Sequence, residues 1–79
     1  MNVEQIKNQA VIYARKFAED ETIEFDFTKD KYTSKEWYLV VTLAEIYYNL
    51  IKNIYTKEQA SQKQAEAFKF AREHYGDEV

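Results

Sequence analysis

His74 is the only side chain in this 79-residue chain whose ordinary titration falls near neutrality, so any search for chemistry starts there. A nucleophilic mechanism would need a hydroxyl within its reach and a third group to orient the ring. The only serines are Ser34 and Ser61, which read as a helix-start and a helix-surface position, and no residue stands at a recognisable spacing to hold the imidazole. His74 also falls in the last turn of an expected helix, where a charged imidazole complements the helix dipole. The sequence therefore assigns no catalytic residue. Cysteine is absent, which excludes disulfides and thiolate metal sites. The single glycine, Gly76, cannot build a glycine-rich phosphate cradle. No cofactor, metal or small-molecule substrate is expected, and the chain reads as non-enzymatic.

Carboxylates are the second source of chemistry. Glu19, Asp20, Glu21, Glu24, Asp26 and Asp30 crowd one stretch, offset within it only by Lys29. Their spacing does not match a calcium loop, and the glycine such a loop needs for its turn is missing. Two readings lead, with a divalent-cation site a distant third. The run is solvated surface around a connector, or it docks on a basic groove of another protein, where it could take the place of nucleic-acid phosphates. The formal net charge of −3 and the presence of only two arginines, Arg15 and Arg72, argue against a free-standing nucleic-acid binder. The basic residues Lys57, Lys63, Lys69 and Arg72 keep that reading as a third choice, but Glu66 and Glu73 interrupt them.

These groups need elements to position them. One glycine, no proline and 46% hydrophobic residues point to long uninterrupted helices rather than an all-β fold. The first helix is expected over residues 3–18. Asn2 and Gln5 form a capping box, and Val3, Ile6, Ala10, Tyr13 and Phe17 share one face, widened by Val11, Ala14 and Ala18. Residues 22–27 alternate, with Ile23, Phe25 and Phe27 on one side and Glu24 and Asp26 on the other. This is an extended connector whose rings plug the core, or a short strand that pairs with something.

The second helix is expected over residues 34–54, capped by Thr33 and Glu36. Trp37, Val41, Ala44, Tyr48, Ile51 and Tyr55 make one stripe at three-four spacing, and Val40, Leu43, Tyr47, Leu50 and Ile54 make another. Thr42, Glu45, Asn49 and Lys52 leave a single narrow polar ridge, so this helix must be surrounded by other helices, by another copy, or by both. The third helix is expected over residues 57–75, from a Thr56–Gln59 capping box to a Gly76 cap, with small alanines permitting close approach. The fold class is thus all-α: a single-domain three-helix bundle with an extended aromatic and acidic connector after the first helix. Tyr38, Leu39 and Ile46 lie toward the edges of the apolar zone, and Tyr32 and Trp37 mark its entrance. They either complete the core or form an apolar interface with a partner or a second copy.

The stretch LAEIYYNLIKNIYTKEQASQKQAEAFKFA, Leu43 to Ala71, resembles small uncharacterised proteins of phages and prophages of low-GC Gram-positive bacteria. In those, an apolar-aromatic helix leads into a similar Ser/Thr-Lys-Glu-Gln-Ala helix start. The resemblance implies a mobile-element accessory protein that binds and modulates or inhibits a host protein, defence nucleases included. The expectation is a cytoplasmic protein-binding module with no membrane span and a protein partner. The alternative is a homodimer through the second helix.

Overall fold

Each of the three helices begins where a four-residue signal tells it to. The computed structural model describes residues 2–20 and 32–76, and within them lie α1 (Val3–Glu19), α2 (Ser34–Ile51) and α3 (Lys57–Tyr75). Asn2, Thr33 and Thr56 each accept from the backbone N–H three residues on, at 2.9, 3.1 and 3.1 Å. Gln5, Glu36 and Gln59 reach back to the cap N–H at 3.0, 2.8 and 2.9 Å. Reciprocal capping satisfies donors that a helix start otherwise leaves open, at about 0.5–2 kcal/mol per cap. Among the described residues there is no strand, and the proposed strand at 22–27 lies outside them.

α2 is the central element. It packs against both neighbours, whereas α1 and α3 meet far less, through contacts such as the Lys7 ammonium 6.0 Å from the centre of the Phe68 ring. Leu39, Val40, Leu43, Ala44 and Ile46 are all buried along α2, and Leu43 and Val40 are the largest fully buried side chains among the described residues. α1 docks through Ile6, Ala10 and Ala14, spaced four apart, with both alanines fully buried. Phe17 adds an edge-on contact to Tyr48, ring centres 4.9 Å apart. Val3, expected on the buried stripe of α1, shares the face of Ile6, Ala10 and Ala14 but is 51% exposed, because it is the first residue of the helix.

α2 stops three residues before the expected Ile54. Lys52 caps it, and Asn53 takes a left-handed backbone, φ 61°. Asparagine tolerates that region better than most side chains, so it turns the chain where glycine usually would. The N–H groups of Ile54 and Tyr55 then both donate to the Asn49 carbonyl, at 2.8 and 3.1 Å. The apolar stripes read in the sequence therefore run past the end of the helix, leaving Ile51 and Ile54 exposed.

The turn sends α3 back antiparallel to α2. Tyr47 is hydrogen-bonded to Gln64, the Lys35 ammonium donates to the Gly76 carbonyl at 2.9 Å, and Tyr38 packs on both Phe70 and Tyr75. α3 contributes no large fully buried side chain to this contact. Its seam is Ala60, Gln64, Ala67 and Ala71, and the three alanines are the only residues of α3 that are buried.

Candidate docking face

The exposed face of the α2–α3 hairpin carries an open groove of about 390 Å³. Ile46 and Ala67 make its buried floor, a consequence of the alanine seam that lets the two helices approach closely. Tyr38, Tyr55 and Phe70 form its aromatic walls. The polar ridge read in the sequence lines one side with Thr42, Glu45 and Asn49, and α3 supplies Lys63 and Glu66 from the other. Glu45, Lys63 and Glu66 are exposed, and none of the three forms an ion pair or hydrogen bond.

At the α3 C-terminal end of this groove the aromatic residues gather. Phe70 lies 5.0 Å from Tyr38 and 5.1 Å from the His74 ring, which stacks on it at 15°. Tyr75 closes the set, 5.8 Å from Tyr38 and edge-on to His74 at 4.7 Å. His74 is thus packed against the rings of Phe70 and Tyr75. Phe70 remains 46% exposed although it is the centre of the cluster.

The structure sorts the residues singled out in the sequence. Leu39 and Ile46, read as edge positions that either complete the core or form an interface, are 2% and 6% exposed and belong to the core, because α2 is flanked on two sides. Trp37 and Tyr38 are half-buried; Trp37 sits with Tyr32 and Tyr75 in a second hollow beside the start of α2, ring centres of Tyr32 and Trp37 6.3 Å apart. Of the acidic run, Glu19 and Asp20 are exposed at the end of α1, while Glu21, Glu24, Asp26 and Asp30 lie outside the described residues. No trio of potential metal ligands occurs among the described residues, and none of their helices is long and apolar enough to cross a membrane.

Sequence reasoning missed Gln64. It occupies the third-helix seam at the spacing of Ala60, Ala67 and Ala71, and its amide oxygen accepts from the Tyr47 hydroxyl at 2.6 Å. That spacing was visible, but a polar residue in an alanine row reads as surface until its partner is known. Burial pushes the Tyr47 hydroxyl above its ordinary value. Burial, and after it Tyr13, does the same to Tyr32.

The Tyr47 shift has a sign that can be tested. The fold favours the neutral phenol, so its contribution is complete below the unfolded-state pKa of about 10. It is lost as pH rises from there through the folded-state value. Urea unfolding should show stability falling above pH ~10, and Tyr47→Phe should flatten that fall. At neutral pH the same variant should lose about 0.5–1.5 kcal/mol, since it strips Gln64 of its partner. An unchanged alkaline profile in the variant would mean that Tyr47 is not the group responsible.

Compared with known protein families, characterised proteins and solved structures, the chain matches none.

Proposed function

We propose that this chain is a non-enzymatic protein–protein interaction module whose docking face is the aromatic-walled groove between α2 and α3. In this reading it serves a mobile genetic element, binding a host protein and modulating or inhibiting it. The observation that carries the reading is Phe70. A phenylalanine left 46% exposed, at the centre of a cluster with Tyr38, His74 and Tyr75, has the character of an interface anchor. The unpaired carboxylates of Glu45 and Glu66 beside it favour a partner that brings basic side chains around apolar ones. The exposed Glu19 and Asp20 at the end of α1 extend the acidic character of the molecule.

The test is co-purification from the native host under quantitative mass spectrometry. Wild-type protein should retain a defined host protein. Phe70→Glu should lose it by at least about tenfold, the scale of a buried aromatic anchor. Gln62→Glu, on an exposed α3 position outside the groove, should retain it. Equal recovery with the Phe70 variant would remove the groove from the function.

A further inference from the structure

We infer that in the isolated protein the groove is filled by a second copy of this chain, packed face to face and antiparallel, and that a host partner must displace this copy. The inference rests on the docking reading above and names the first occupant of that face. Its basis is the order of charges along the groove. The Tyr47–Gln64 and Lys35–Gly76 bonds set the register of the hairpin, which places Glu45 level with Glu66 and Asn49 level with Lys63. None of these three charges is satisfied within the monomer.

Two copies can meet across this face by a two-fold axis in either of two directions. If the axis runs along the helices, levels are preserved and Glu45 of one copy stands over Glu66 of the other, twice. Like charges in that position oppose association. If the axis runs across the helices at the level of Tyr47 and Gln64, the order inverts. Lys63 then meets Glu66 of the second copy, and Glu66 meets its Lys63. Glu45 falls beside the other Asn49, and Tyr38 of each copy falls beside Tyr55 of the other. The second arrangement pairs Lys63 with Glu66 twice, sets Glu45 against an amide rather than a carboxylate, and covers both aromatic ends of the groove. A chain this small, with no cysteine for disulfides, gains the kind of support that small domains draw from association.

Charge exchange tests this directly by sedimentation velocity over a concentration series, with helicity measured by circular dichroism. Lys63 and Glu66 are exposed and unpaired, so Lys63→Glu and Glu66→Lys should both keep wild-type helicity. Wild type should dimerise, and each variant alone should associate about 10- to 100-fold more weakly, because two attractive pairs become two repulsive ones. An equimolar mixture of the two variants should recover dimers, since every crossing contact is again a Lys–Glu pair. Strictly monomeric wild type at all concentrations, or dimers indifferent to both reversals, overturns the inference. If wild type is monomeric while Phe70→Glu still loses the host protein, the second copy is wrong and the docking reading stands. If the mixture rule holds while Phe70→Glu changes no capture, the dimer stands and the docking reading falls.

Discussion

Leu43→Ala should destabilise the fold by about 2–5 kcal/mol, the cost of emptying a fully buried leucine site that relaxes only in part. Leu43 is 0% exposed and lies in the middle of α2, the helix that packs against both of the others. The total stability of a domain this size is only about 4–12 kcal/mol. Losing that fraction should bring the urea midpoint down sharply, and at the upper end a substantial part of the population would be unfolded in buffer. Ile12→Ala is the proper control, because Ile12 is 46% exposed and its loss should change stability by less than about 1 kcal/mol. Helicity followed through urea titration gives both numbers. A Leu43 variant no weaker than the Ile12 control would contradict a core centred on α2.

Ile46→Asp separates core from interface at a position the sequence left open between them. If Ile46 served only a contact between copies, a carboxylate there would dissociate the dimer and leave a folded monomer. In the structure Ile46 is 6% exposed within one chain and floors the groove against α3. The expected result is unfolding, at about 3–5 kcal/mol for an unpaired charge held out of water. Helical circular dichroism should fall even at the lowest concentration, where any dimer has already come apart. A folded, fully helical Ile46→Asp monomer would show that this side chain does not belong to the core.

The helix starts were legible because each is written in four consecutive residues: Asn2 to Gln5, Thr33 to Glu36, Thr56 to Gln59. Local chemistry decides them, and all three appear as capping boxes. The end of α2 was harder, since the apolar pattern continues through Ile54 and only Asn53 marks the stop. A left-handed asparagine is a weaker written signal than glycine, although it does the same work. Burial within α2 was only partly readable. Spacing identified two stripes but not the row Leu39, Leu43, Ile46 and Leu50, which runs along the side of the second stripe that faces away from the first. A helix apolar on nearly every side has no single phase, so the neighbours determine which residues disappear. The groove could not be read for a related reason. It arises from which residue of α3 stands beside which residue of α2, a relation set by the Tyr47–Gln64 bond and the length of the turn rather than by either helix alone.

The alanine seam of α3 has one more consequence. Large side chains interlock like teeth and resist axial travel, whereas Ala60, Ala67 and Ala71 present α2 with a smooth rail. The alanines themselves offer little that interlocks, so packing at those three positions discriminates weakly between registers. The phenol of Tyr47 on the amide of Gln64, the Lys35 ammonium on the Gly76 carbonyl and the tightly bonded turn at Asn53 together act as the detents that hold α3 in one position.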